Sequence, residues 1–161
     1  MITYHIVTLF PEIIRAYVDA SIIGRAQKRK KIKVKVYNPR DFTRDKHKKI
    51  DDRPYGGGPG MVMQAEPILK AVKKAIAGAV RKNKKIKIVL LSPNGRQFTN
   101  ENALNFSKKY TDIVFIAGRY EGIDTRVKKI LKAEEWSSGP YIVTGGELPS
   151  LIMLDAITRQ I

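Results

Sequence analysis

The sequence contains no cysteine and only two histidines, His5 and His47, in 161 residues. The first absence excludes disulfides, thiolate metal sites and a cysteine nucleophile. The second leaves too few imidazoles for a histidine-based zinc centre. No apolar run approaches membrane-spanning length, and the opening MITYHIVTLF lacks the charged-then-apolar order of a secretion signal. These absences predict a soluble, cytoplasmic protein with no membrane partner. Acidic residues are scarce too: 15 Asp and Glu stand against 31 Lys and Arg, a formal net charge of +16. The excess is uneven, with twelve basic and two acidic residues between Arg25 and Lys49. Such a cluster attracts a polyanion, nucleic acid first among them; a lysine-rich solvated face is the plain alternative.

What is present is a foldable core. Hydrophobic residues make up 43% of the chain, and this length predicts one domain burying roughly 70% of its unfolded surface. ITYHIVTLF reads as a strand ending at Pro11, which suits a helix start. Ile14, Tyr17, Val18, Ser21 and Ile22 then recur at helical spacing. IKVKVYNP alternates like a half-exposed strand. A long irregular stretch from Pro39 to Met63 precedes the clearest helix, which carries Ile68, Leu69, Val72, Ala75, Ile76, Ala79 and Val80, with Glu66 and Pro67 in its first turn. IKIVLL is a buried strand closed by a turn at SPNG, and Thr99 is placed to cap the helix of Ala103, Leu104 and Phe106. DIVFIAG is a further buried strand, followed by a helix near 123–131. YIVTGG reads as another strand, and LPSLIMLDAITRQI as a final amphipathic helix. Apolar strands alternating with helices predict an α/β fold with a mostly parallel sheet flanked by helices.

In such sheets ligands bind at the carboxyl ends of the strands. Three loops fall there: LLSPNG (90–95), AGRYEGID (117–124) and SSGPYIVTGGELP (137–149). Their lining would be backbone amide and small side chains, with Arg119, Glu121 and Glu147 the main charges. That character suits an adenosine-containing ligand better than a triphosphate. The standard nucleotide fingerprints fail when tested. No glycine precedes a lysine, so there is no P-loop, and from Gly56 the sixth position of a dinucleotide motif is Met61. No G-x-S-x-G elbow exists for a serine hydrolase. Yet DDRPYGGGPGM places four glycines in the five positions 56–60 beside Asp51, Asp52 and Arg53.

Taken in order, LFPE, GRA, PRDFT, DDRPYGGGPGM, LSPNGR, GRYEGID, EEWS and TGGELP closely resemble the bacterial tRNA (guanine-N1)-methyltransferase family, the TrmD family, from Leu9 to Arg159. The resemblance implies a SPOUT-type fold with a C-terminal trefoil knot and a homodimer with its sites at the subunit interface. It implies methyl transfer from S-adenosylmethionine to N1 of the guanosine at tRNA position 37, next to the anticodon. It assigns cofactor binding to Leu90, Leu91, Ser92, Pro93, Gly118, Tyr120, Glu121, Gly122, Ile123, Ser137, Gly139, Tyr141, Val143, Gly145, Gly146 and Pro149. For single glycines such as Gly95 or Gly146, a turn or a helix start is a competing reason. It assigns RNA contact near the target base to Arg53, Tyr55, Pro59 and Gly60, where glycine lets a flipped nucleobase lie on backbone and an arginine or tyrosine offers a stacking face.

Guanine N1 carries a proton, and its loss pushes negative charge onto O6, so a cation there lowers the barrier. By resemblance Arg159 is that cation, and Glu121 positions the cofactor or a Mg2+ ion. The family's base is an aspartate in a linker beyond the last helix. The expectation is therefore a single SPOUT domain over 1–161, without that linker and the C-terminal tRNA-gripping domain. Pro140 stands where the family commonly has an acidic residue. Three other readings stay open: an S-adenosylmethionine- and RNA-binding fragment without catalysis, a related ribosomal RNA methyltransferase, and a basic RNA-binding module that takes no cofactor.

Overall fold

A computed structural model of the chain describes residues 1–54, 57 and 59–161. Strand β1 (Ile2–Val7) leads into helices α1 (Pro11–Val18) and α2 (Ser21–Lys28), then strand β2 (Ile32–Tyr37) and a 3-10 turn at Pro39–Phe42. Two-residue strands β3 (Asp51–Asp52) and β4 (Val62–Met63) pair antiparallel across the glycine-rich segment. There follow α3 (Ala65–Arg81), β5 (Ile86–Gln97), α4 (Asn100–Lys109), β6 (Asp112–Ile116), α5 (Arg126–Leu131), β7 (Glu134–Ser137) and α6 (Glu147–Thr158).

The main sheet has the order β2-β1-β6-β5-β7, every pairing parallel. Side chains alternate across it as the pleat requires. Tyr4, Ile6, Val89, Leu91, Ile113 and Phe115 face one core, shared with α1, α4 and α6. Val7, Leu90, Val114 and Ile116 face the other, against α3 and α5. Burial on both faces explains why β1 and β6 are apolar almost throughout. No helix among the described residues is long and apolar enough to cross a membrane.

Local chemistry accounts for several boundaries. The Thr99 hydroxyl accepts from Asn102 N (3.3 Å) while Asn102 Oδ1 accepts from Thr99 N (3.0 Å), a reciprocal cap on α4. Helix α5 starts later than its periodicity suggests, at Arg126, because Asp124 Oδ1 accepts from Arg126 N (2.9 Å) and turns the chain first.

Four expectations need correction. The first helical run is two helices. Ser21 lies at φ +48°, and Gly24 sits against the Asp19 carbonyl, where a Cβ would come within 2.6 Å of the oxygen. SPNG does not close β5. Leu91 and Arg96 both pair with Trp136, so Ser92–Gly95 bulge out and the strand resumes. YIVTGG is not a strand: Tyr141, Ile142 and Val143 point outward, Ile142 at 84% exposure, and the edge strand is EEWS instead. Finally, α6 is apolar on its outer side as well, with Leu148 and Ile152 exposed, so it is not simply amphipathic.

One buried polar group has a measurable consequence. His5 Nε2 donates to Asp112 Oδ1 (3.1 Å), and His5 Nδ1 accepts from the Tyr37 hydroxyl (3.2 Å), an arrangement of neutral imidazole. Burial pushes the His5 pKa below its ordinary 6.5; the Asp112 bond opposes this, while Lys35 and Lys84 add to it. Burial alone would raise Asp112, but bonds from His5 and Thr111 and the Lys84 ammonium outweigh it and hold the carboxyl below its usual range. For His5 the unfolded chain binds the extra proton, so its contribution is complete above about pH 6.5 and is lost as pH falls below it. Urea midpoints are expected to drop as the pH falls below about 6.5, and the drop should largely vanish in His5→Gln. An unchanged pH slope in that variant would show that His5 is not the group responsible.

Candidate functional site

All five strands point the same way, so the bulge of β5 and the loops after β6 and β7 meet at one end of the sheet. Backbone contacts hold them there. Gly146 N donates to Gly118 O (2.9 Å), joining the loop after β6 to the start of α6. A Cβ on Gly146 would come within 2.6 Å of Ala117 Cα, and one on Gly145 would overlap the Arg119 side chain. Gly146 is also the N-cap of α6, so close approach and helix start both apply. The bulge packs on β7, since a Cβ on Gly95 would lie 2.6 Å from the Glu135 carbonyl carbon. Phe98 N donates to Ser137 O (2.8 Å), and the buried Ser137 hydroxyl donates to Gly139 O (2.8 Å). Tyr120 adopts φ +61° and Gly122 φ +133°, a tight reversal closed by Gly122 N donating to Arg119 O (3.3 Å).

The centre of this arrangement is an ion pair between residues 28 apart in sequence. Glu147, only 1% exposed, receives the Arg119 guanidinium at 2.9 Å and a hydrogen bond from the Thr8 hydroxyl at 2.6 Å. Arg119 also donates to Thr144 O (3.1 Å) and lies 4.6 Å from the Phe10 ring centroid. Its charge is thus committed to Glu147. Thr8 and Phe10 were not among the sequence-level candidates; their signal is a polar residue and an aromatic immediately after the first buried strand.

The glycine-rich segment docks on the same loop. Met63 N donates to Gly122 O (2.9 Å), Asp124 N to Met63 O (3.0 Å) and Glu121 N to Met61 O (3.0 Å). Gly60, at φ +86°, sits against the Glu121 side chain, where any Cβ would overlap. Gly60 is therefore brought to the loop of Glu121. Arg53 is exposed at the end of β3, and Tyr55 lies outside the described residues. Leu90 and Leu91 are buried in the sheet before the bulge, Ser92 and Pro93 are within it, and Tyr141 and Val143 are exposed. Pro149 is buried in the first turn of α6.

Two assignments look different in three dimensions. Arg159 caps the far end of α6. Twelve residues at 1.5 Å each separate it from Glu147 by about 18 Å, so a single chain does not bring it to Gly146. Glu121 is exposed, and among the described residues no three His, Asp or Glu side chains converge on a metal position. A Mg2+ at Glu121 would draw its other ligands from water and substrate. A groove of about 370 Å³ lies between the bulge, Lys128 and Trp136, and is lined by neither Gly118, Gly139 nor Gly146. The basic cluster of 25–49 is also divided. Lys28–Lys31 precede β2 at one end of the sheet, and Arg40–Lys49 follow it at the other.

Residues 2–161 match the family described as tRNA (Guanine-1)-methyltransferase TrmD. The chain is 46% identical over 158 residues to a tRNA (guanine-N(1)-)-methyltransferase of Pseudoalteromonas atlantica, covering 98% of this chain and 58% of that protein. The same-named protein of Actinobacillus succinogenes is 46% identical, covering 97% and 62%. That of Buchnera aphidicola is 45% identical, covering 100% and 66%. The chain spans about six-tenths of the length of the curated relatives it matches.

Proposed function

Because this chain belongs to the tRNA (guanine-1)-methyltransferase TrmD family, we propose that it transfers a methyl group from S-adenosylmethionine to N1 of guanosine 37 of tRNA, acting in the cytoplasm as a homodimer. The observation that carries the reading is the gathering of three small-residue loops at the carboxyl ends of the strands, with Gly146 seated on Gly118 and Ala117. In this reading residues 1–161 are one SPOUT domain, and the segment from β5 to α6 is its trefoil knot.

The donor set fits the cofactor. Arg119 is neutralised by Glu147 and Asp124 by Arg126, which leaves Glu121 as the remaining charge on its loop and gives a neutral-to-negative lining for a sulfonium cation. Leu90 to Pro93, Gly118, Tyr120 to Ile123, Ser137, Gly139, Tyr141, Val143, Gly145, Gly146 and Pro149 would hold it, and bound there it supplies an electrophilic methyl group. The chain's own residues do the rest. The buried Ser137–Gly139 turn and the Arg119–Glu147–Thr8 chain fix the loops and keep water from their backbone. By the resemblance, Arg53, Tyr55, Pro59 and Gly60 would contact the RNA near the flipped base. When the N1 proton leaves, the Arg159 guanidinium donates to the charge that develops on O6. The exposed Tyr141, Ile142, Val143, Leu148 and Ile152 make an apolar surface of the kind that a second copy covers.

The test uses two tRNA transcripts differing only at position 37, guanosine or adenosine, together with ribosomal RNA fragments, and tritiated cofactor. Label in the guanosine transcript alone is the expected result. Label in both, or only in ribosomal RNA fragments, would overturn the substrate assignment. Calorimetric cofactor binding with no transfer to either transcript would favour the binding-only reading.

A further inference from the structure

The parallel sheet sends the amino ends of its strands to the pole opposite the loops described above. The chain reaches that pole by four approaches: 28–31 into β2, 81–85 into β5, 108–111 into β6 and 128–133 into β7. Together these carry thirteen Lys and Arg and no Asp or Glu. All thirteen are exposed, and of them Lys128 lies in the groove beside the bulge rather than at the pole itself. Backbone bonds tie neighbouring approaches side by side: Ile2 N to Lys31 O (3.2 Å), Thr3 N to Thr111 O (2.9 Å) and Thr111 N to Lys85 O (2.9 Å).

Ordinary stabilisation does not account for this charge. Lys84 pairs with Asp112 and Lys128 with Glu135; among the described residues the other eleven cations have no ion pair. Helices α2, α3, α4 and α5 end at this pole, and each carbonyl end offers about half a negative charge. That amounts to about two charges against eleven. Folding would also choose other residues at two of the positions. Lys30 (φ +56°) and Lys132 (φ +49°) occupy left-handed turns after α2 and α5, where glycine is the relaxed choice. The chain keeps a cation where its backbone favours none.

We propose that this pole is a second RNA-binding surface, gripping phosphate backbone without reading sequence, on the end of the domain away from the methyl-transfer loops. Five strands at about 4.8 Å spacing span about 19 Å, room for about five phosphates of an A- or B-like strand. The choice of RNA over other polyanions rests on the tRNA reading above; the charge row itself does not.

The experiment measures anisotropy of a labelled twenty-nucleotide oligouridylate, which offers phosphates but no guanine, across a potassium chloride series. A polar-end variant, Lys30→Gly, Lys82→Gln, Lys109→Gln and Lys132→Gly, is compared with a loop-end variant, Arg44→Gln, Lys46→Gln, Lys48→Gln and Lys49→Gln. Each single-strand phosphate contact contributes about 0.7 to the salt slope. The polar-end variant is expected to bind at least tenfold more weakly at low salt, with a slope shallower by about 2 to 3 and no loss of Tm. The loop-end variant should change much less. Equal losses would show that binding follows net charge alone, and no loss would show a merely solvated face; either overturns the proposal. Preferential binding of phosphatidylserine vesicles over the oligonucleotide would overturn it in favour of a lipid surface. Methyl transfer to the guanosine-37 transcript is scored separately, so failure of one reading is not failure of the other.

Discussion

Replacing Arg119 by alanine is expected to lower the unfolding free energy by about 3–5 kcal/mol, the cost of stranding a buried charge. Among the described residues Glu147 is held by two groups, the Arg119 guanidinium and the Thr8 hydroxyl, and it is 1% exposed. Without the guanidinium the carboxylate keeps one hydrogen bond and no counter-charge. The substitution also removes the bond to Thr144 O and the packing on Phe10. Glu147→Gln should cost less, because Arg119 retains access to water and the amide can still meet Thr8. The double variant should recover part of the loss, and the coupling from the double-mutant cycle isolates the pair. Urea denaturation reads all four proteins. A loss under about 1 kcal/mol for Arg119→Ala would mean that this pair does not hold the loops together.

That ion pair also marks what the sequence could and could not reveal. Strands β1, β2 and β6 and helix α3 were legible because their patterns come from burial, which acts locally through periods of two and 3.6. The Thr99 cap was legible because capping needs only neighbours. The segment at 141–146 was misread because Tyr141, Ile142 and Val143 look like a buried strand, and only the fold leaves them outward. The true edge strand, EEWS, opens on two acids and has no such pattern; its place depends on pairing with β5. The three loops were picked out as candidates in sequence, but their fastening was not. Thr8 and Glu147 are 139 positions apart, and no periodicity connects them. Charge behaved the same way, since one run of lysines in sequence became two poles once β2 passed between them.

Replacing Arg159 by alanine is expected to reduce kcat about 10²- to 10³-fold with little change in cofactor binding, the range for loss of one donor to a developing oxyanion. Its position makes a sharper prediction about which chain it serves. Helix α6 holds Arg159 about 18 Å from Glu147, beyond the reach of an arginine side chain toward Gly146 at the start of its own helix. In a two-fold dimer the same patch meets its own copy, and the exposed apolar residues from Tyr141 to Ile152 lie on that helix and in the segment that precedes it. On the homodimer reading proposed above, Arg159 of one copy would complete the loops of the other. Arg159→Ala and Gly146→Val are each expected to be inactive alone, the second because a side chain there meets Ala117 and Gly118. Mixed after partial unfolding and refolding together, half the dimers are hybrid, and each hybrid has one site with both parts intact. About a quarter of wild-type activity should return under this symmetry. If mixing restores nothing while calorimetry shows hybrid dimers and intact cofactor binding by Arg159→Ala, Arg159 acts within its own chain, and α6 must move to bring it there.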